Sequence, residues 1–433
     1  MVTNEQLAVA TLGPCRVRSP LPMSTLPDDG VGDFVRNDDR VLHDVRIRAG
    51  EAPSAVGFER AGAREQIFFE PAKTRAAVVT AGGLCPGLNN VIRTLYFELK
   101  VNYGIQEVLG IRYGYRGLES GSSLRPLVLT HDLVDNIQHH GGTVIGTSRC
   151  AHDAKKSVDY LVEQKIDILF CVGGDGTQRG AHQIAEEAAR RQLPIAIVGI
   201  PKTIDNDIKY CERTFGFFTA VAEAEMVIDR AHTEAKSVPN GVGLVKLMGR
   251  EAGFIAAAAT IASGEVNFTL IPEVPFALEG DRGLLAKLER RLSARHHAVI
   301  VVAEGAGQNL LPARDAAFDA SGNRKLGDIG VFLKEQIVAH CRRRELHVDV
   351  KYFDPSYYIR SCPASTVDSL LCEQFARHAA HAGMAGKTNL LIGTAHSEFI
   401  HVPLAMSIGQ SKRLSPESDW WTSVTAITGQ EKW

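Results

Sequence analysis

Downstream of about residue 75 the chain reads as short apolar runs, rich in Val and Ile and bounded by glycine, alternating with longer segments that are apolar on one helical face. Strands are expected at 76–80, 107–111, 168–172, 195–200, 242–247, 268–271, 298–303 and 389–392. Helices are expected at 89–100, 154–164, 179–191, 216–231, 252–262, 281–293, 329–343 and 366–382. Such alternation, with runs like 195–200 apolar on both faces, predicts an α/β fold whose sheets are mainly parallel and covered by helices. Ligands then bind at the carboxyl ends of the strands. Residues 1–70 show no sustained period and many turn formers, among them Pro20, Pro22, Pro27, Gly30 and Gly32. They are expected to be an irregular N-terminal extension that wraps the body or pairs with another subunit.

Composition removes several classes of function. The 433 residues are 45% hydrophobic and 23% charged, with 48 Lys and Arg against 50 Asp and Glu. A net charge of -2 without a long basic block offers no footprint for a phosphate backbone, so nucleic acid is not an expected partner. The most continuous apolar stretch, 254–262, is about half the ~20 residues that cross a bilayer, so no membrane partner is expected either. No basic segment followed by an apolar one opens the chain, and a cytoplasmic location is expected. Eight cysteines are scattered without a Cys-x-x-Cys pair, which suits reduced thiols.

Three loops after expected strands carry the chemistry. The first, Ala81-Gly82-Gly83-Leu84-Cys85-Pro86-Gly87-Leu88-Asn89, has glycines that let backbone approach an anion, followed by a helix with free amides. Alone, it could equally be a packing turn. The second, Gly173-Gly174-Asp175-Gly176-Thr177, sets one carboxylate among phosphate-cradling glycines. Mg²⁺ takes one or two carboxylates when a nucleotide's phosphates complete its shell, which makes Asp175 the metal candidate. A tight turn with a helix-capping aspartate is the plain alternative. The third, Pro201-Lys202-Thr203-Ile204-Asp205-Asn206-Asp207, has two carboxylates beside a lysine, able to take a hydroxyl proton while cations hold phosphate charge. An extended backbone there would aim Asp205 and Asp207 the same way.

Together and in this order these loops, with Gly142-Thr143, Thr147-Ser148-Arg149 and Met248-Gly249-Arg250, resemble the 6-phosphofructokinases over about 76–430. Lipid and NAD kinases look similar at Gly-Gly-Asp-Gly but should lack the Thr-Ile-Asp-Asn-Asp and Met-Gly-Arg segments. The resemblance implies two Rossmann-like lobes with mainly parallel sheets, plus the N-terminal extension. Its divisions fall at 1–70 for the extension, 71–215 with about 361–408 for a phosphoryl-donor lobe, and 216–360 with about 409–433 for a sugar-phosphate lobe.

The same resemblance implies phosphorylation of fructose 6-phosphate at its 1-hydroxyl in glycolysis, with Asp205 as general base and Asp207 and Arg250 in support. Donor contacts fall on Gly82, Gly83, Arg149, Cys150, Gly174, Asp175, Gly176, Thr177 and Lys202, with Asp175 toward Mg²⁺. Sugar-phosphate contacts fall on Thr203, Ile204, Asp205, Met248, Gly249, Arg250, Glu304, Lys351, Tyr357 and Arg360. ATP, fructose 6-phosphate and further copies of the chain, in a dimer or tetramer, are the implied partners. Taken singly, Arg250 could pair with a surface carboxylate, Glu304 could be a structural cap, Tyr357 and Tyr358 could be core aromatics, and Lys351 could be solvated.

Two departures from the family pattern matter. Short bacterial members carry an arginine upstream of Met-Gly-Arg that reaches a neighbouring subunit's site, and the aligned position here is Gly241. The usual histidine of the late sugar-phosphate motif is replaced by Tyr357, as in the longer plant-like and trypanosome-like branch. Pyrophosphate-using members share the lysine at 202 but carry aspartate where this chain has Gly176. An aspartate would fill and charge the path of an ATP α-phosphate, so ATP is the expected donor and pyrophosphate the alternative. A non-catalytic subunit would have lost Asp175, Asp205 or Arg250, and all three are present.

Overall fold

A computed structural model describes residues 2–47, 49–50, 52, 54–150, 152–312 and 325–430; the outermost ends of the expected divisions, Met1 and Trp433, lie outside them. The chain divides into two compact units. The first comprises Met1–Thr203, Ile208–Phe215 and Cys362–Gln410, and the second Ile204–Asp207, Gly216–Ser361 and Ser411–Trp433.

The first unit is built on a nine-stranded sheet. Its spatial order is Arg40–Leu42, Gly57–Arg60, Glu398–Pro403, Leu390–Ala395, Ala196–Pro201, Ile168–Gly173, Arg75–Thr80, Glu107–Ile111 and Leu127–Val128. The five strands from Leu390–Ala395 to Glu107–Ile111 run parallel, and antiparallel strands close both sides. Register sets Gly173 opposite Pro201 and Thr80 opposite Val172, so the three central strands end level where the glycine loops leave them. Every residue of Ile168–Gly173 and Ala196–Pro201 is buried, as runs apolar on both faces require. Helices Asp175–Arg190 and Thr366–Met384 pack on this sheet.

The first seventy residues are more ordered than their composition predicts. Val17–Arg18 pairs with Gln66–Ile67 and Ala10–Thr11 with Lys387–Thr388, while Gly57–Arg60 joins the main sheet beside Glu398–Pro403. These strands are two to four residues long, too short to show a period. A buried carboxylate anchors them: Glu59 meets Lys387 at 2.9 Å, Arg64 at 3.1 Å and His401 Nδ1 at 3.1 Å.

The second unit holds a four-stranded parallel sheet in the order Phe268–Leu270, His297–Ala303, Gly241–Leu247, Asp349–Phe353. Leu285, Leu288 and Leu292 of helix Leu284–Arg295 and Leu333 and Ile337 of helix Ile329–Arg343 bury against Val242, Leu244, Ile300 and Val302. Helix Phe217–Lys236 lies so close to Gly241–Leu247 that a Cβ on Gly241 would collide with the Ala235 carbonyl. The strands Asp349–Phe353 and Glu398–Pro403 and the helices Ser356–Ser361 and Asp419–Thr428 were not among the expected elements. No helix among the described residues is long and apolar enough to cross a membrane.

Candidate active site

In the first unit the strand Arg75–Thr80 delivers the Gly82–Gly83 turn. The Gly82 N–H donates to Ser148 O at 3.0 Å and its carbonyl accepts from Thr147 Oγ1 at 2.9 Å, tying the turn to the segment that carries Arg149 and Cys150. Gly82 has φ +92°, a conformation that glycine reaches without steric cost. A Cβ on Gly83 would stand 2.9 Å from the Arg149 guanidinium, so these two residues share one place. The Cys150 thiol lies 3.4 Å from the Ser148 hydroxyl.

Lys202 joins two of the loops. It is buried, its Nζ donates to Gly83 O at 2.8 Å, and its N–H donates to Gly173 O at 3.1 Å. Beyond Gly173 the helix begins at Asp175, with Gly174 at its N-cap, rather than at the expected 179. Asp175, Gly176 and Thr177 therefore form a first helical turn, in which Thr177 N–H turns back to Gly174 O at 2.9 Å and the helix N-terminus ahead of it favours an anion. The Asp175 carboxylate is half-exposed; it accepts from Gly409 N at 2.7 Å and from Arg179 at 2.7 Å. A Cβ added at Gly176 would meet nothing within 4 Å. Among the described residues there is no group of three or more His, Cys, Asp or Glu that could hold a metal. One exposed carboxylate beside phosphate-binding amides is nevertheless the donor set that suits Mg²⁺, which keeps most of its shell for phosphate oxygens and water.

In the second unit the Ile204–Asp207 segment is a turn and not the extended piece that would have aligned its carboxylates, since Asn206 has φ +56°. Lys412 N–H fixes it by donating to Asp207 O at 2.7 Å. Ile204 is buried, and just before it, in the first unit, Thr203 O accepts from Thr214 Oγ1 at 2.6 Å. Burial first, then the negative charges of Asp207 and Glu304, push the Asp205 carboxyl up to about 7, against the opposing pull of Arg360 and the Arg250 backbone N–H.

Two neighbours of Asp205, Arg250 and Glu304, come from the carboxyl ends of adjacent parallel strands. After Gly241–Leu247, Met248 is buried and Gly249 turns at φ +120° to present Arg250. After His297–Ala303 come Glu304, whose N–H donates to Leu247 O at 2.9 Å, and Gly305, whose N–H donates to Gly249 O at 3.0 Å. A Cβ on Gly305 would collide with Arg250 O, so glycine is what lets the two turns pack. Arg360, from helix Ser356–Ser361, reaches Glu304 at 3.9 Å.

Two expected members stand elsewhere. Lys351 lies mid-strand opposite Gly243, short of the carboxyl ends, and its ammonium pairs with Asp349 at 3.1 Å. Tyr357 and Tyr358 are 83% and 68% exposed, so neither is a core aromatic, and no described hydrogen bond draws Tyr357 to the Asp205 group. One residue was missed. Gln178 is buried and shares its Nε2 among Gly173 O at 2.9 Å, Ile200 O at 3.1 Å and Cys171 O at 3.2 Å, clamping the strand ends that carry the second and third loops. Its signal was a polar residue on the helical face of Ala181, Ile184, Ala185 and Ala188, all of them buried.

The phosphofructokinase family pattern matches residues 75–383 of the chain. The chain is 42% identical over 439 residues to an ATP-dependent 6-phosphofructokinase of Borreliella burgdorferi, covering 99% of this chain and 98% of that protein. It is 43% identical to one of Trypanosoma brucei brucei, covering 92% and 82%. Its fold is similar to a pyrophosphate-dependent phosphofructokinase structure from Marinobacter aquaeolei, with a TM-score of 0.66 at 19% identity over 82% of this chain and 91% of that one.

Proposed function

We propose how these groups act from one premise: the chain belongs to the phosphofructokinase family. It is a kinase acting on an alcohol group, and its reaction is the ATP-dependent phosphorylation of fructose 6-phosphate at the 1-hydroxyl, a step of glycolysis that yields fructose 1,6-bisphosphate and ADP.

The observation that carries the acceptor chemistry is the gathering of Glu304, Arg250 and Arg360 at adjacent strand ends around the buried Asp205 carboxyl, which burial and its acidic neighbours push well above the usual carboxylate range. A base so poised has a substantial ionised fraction near neutral pH and is more basic than an ordinary carboxylate, so it can take the sugar's hydroxyl proton as its oxygen attacks. Asp207 maintains that basicity by its charge, while Arg250 and Arg360 supply cations for the sugar's 6-phosphate and for the group in transfer. On the donor side, amides of the first turn of helix Asp175–Arg190 hold phosphate oxygens, with Lys202 and Arg149 as counter-charges. Asp175 would hold Mg²⁺, which when bound neutralises charge on the donor's β- and γ-oxygens. Cytoplasmic location and assembly into a dimer or tetramer are part of this reading, the latter checked by light scattering.

Gly176 supports ATP over pyrophosphate, because open space surrounds its α-carbon and no side chain intrudes on a nucleotide's α-phosphate. A coupled assay offering each donor in turn to the wild type and to Gly176→Asp tests this. ATP-dependent turnover is expected in the wild type and should fall at least about 100-fold in the variant, with little loss of thermal stability because the new side chain meets no protein atom near its Cβ. A wild type that uses pyrophosphate and not ATP would overturn the donor assignment, and unchanged ATP kinetics in the variant would remove Gly176 as the gate.

A further inference from the structure

Lys246, in the strand Gly241–Leu247, was in none of the expected contact sets, yet its ammonium is the meeting point of three elements. Nζ lies 2.8 Å from Asp354 Oδ2 and 3.2 Å from Asp328 Oδ2, with only 12% of the side chain exposed. Asp328 caps helix Ile329–Arg343 through Val331 N–H at 3.1 Å and accepts from the Tyr352 hydroxyl at 3.1 Å. Asp354 follows the strand Asp349–Phe353, and its other oxygen accepts from Ser356 N–H at 3.2 Å and Ser356 Oγ at 2.6 Å. That double contact starts helix Ser356–Ser361, whose ladder opens with Ile359 N–H donating to Pro355 O at 2.9 Å.

A six-residue helix is too short to hold its own shape in water, so it depends on the packing of its buried Ile359 and on what pins its first turn. The pin of the first turn is Asp354, and Asp354 is held by Lys246. We propose that Lys246 is a positioning residue of the acceptor site: by holding Asp354 it fixes the start of helix Ser356–Ser361, and thereby the reach of Arg360 to Glu304 and to fructose 6-phosphate. Burial alone would lower the Lys246 pKa, but Asp354 and Tyr352 raise it on balance, so the pin stays charged throughout the working range of pH. The groups that act on Asp205 include Asp207, Glu304, Arg360 and the Arg250 amide, and Arg360 is a side-chain cation that opposes the two acids. Freeing Arg360 therefore weakens sugar-phosphate binding and lets Asp207 and Glu304 raise Asp205 further.

This inference rests on the proposed acceptor, so binding and turnover are measured separately on Lys246→Met, Lys246→Arg and the wild type. By calorimetry and steady-state kinetics, Lys246→Met should raise both Kd and KM for fructose 6-phosphate at least about 10-fold while KM for ATP stays within about 2-fold. The acid limb of kcat/KM should move to higher pH by about half a unit. Lys246→Arg, which can still hold both carboxylates, should recover sugar-phosphate binding to within about 3-fold of the wild type. Should Lys246→Met not fold, Asp354→Asn, which keeps the shape and removes the charge, is expected to give the same shifts. Wild-type sugar-phosphate affinity and acid limb in a folded variant, or a KM for ATP that rises in step, would overturn the inference. A wild type that binds fructose 6-phosphate without phosphorylating it sinks the proposed function alone, and the Kd comparison still decides Lys246.

Discussion

At the scale of the residue, Asp205 has two opposed consequences. If Asp205 is the base proposed above, Asp205→Asn should lower kcat by about 10²–10⁴ with fructose 6-phosphate binding little changed, as steady-state kinetics and calorimetry would read. A near-wild-type rate would take Asp205 out of that role. Stability should respond the other way. A carboxyl whose folded pKa is raised binds its proton more tightly when folded, so its contribution is present below the unfolded pKa and lost as pH climbs through about 7. Asparagine escapes that loss, so the variant should melt above the wild type at pH 8, with the gap closing toward pH 4. An equal gap at both pH values would show that charge is not its cause. The chemistry of this residue was legible in the sequence because two acids next to a strand end are rarely idle. Its partners Glu304 and Arg360 were named through the family resemblance alone, because they lie far along the chain and periodicity and spacing say nothing of a left-handed turn at Asn206 or of the packing of Gly305 on Arg250.

At the scale of the element, the strands and helices with a clear period were readable to within a few residues, and helix Ile329–Arg343 matches its expected range. The exceptions have physical reasons. Helix Asp175–Arg190 starts early because its glycines, poor helix formers by propensity, are enforced by the Gln178 clamp. Asp349–Phe353 escaped because Asp349 and Lys351 give a partly exposed edge strand a polar face. Gln178→Leu should cost about 1–3 kcal/mol, since three carbonyls lose their shared donor. It should also raise KM for ATP about 10-fold and that for fructose 6-phosphate less, because the clamp holds the strand ends beneath Gly174–Thr177 and Lys202 directly and Thr203 and Ile204 only further along the third loop. Equal changes in both KM values would count against a local role.

At the scale of the whole molecule, the N-terminal segment is part of the fold of the first unit. Glu59→Gln would strip the buried partner from Lys387 and Arg64 and is expected to destabilise by about 3–5 kcal/mol, seen as a melting temperature lower by roughly 5–10 °C. An unchanged melting temperature would mean that the segment adds nothing to the unit's stability. Sequence could not announce this, because a lone glutamate in a four-residue strand looks like any surface charge until Lys387 and His401 arrive from over 300 residues away.

Gly241 limits what its position can hold. Because the Ala235 carbonyl occupies the space that any side chain would need there, no single codon change can install an arginine at this position without first pushing a twenty-residue helix away. An arginine here would therefore cost stability before it could present a charge, and the end of helix Phe217–Lys236 would have to give way to admit even its Cβ.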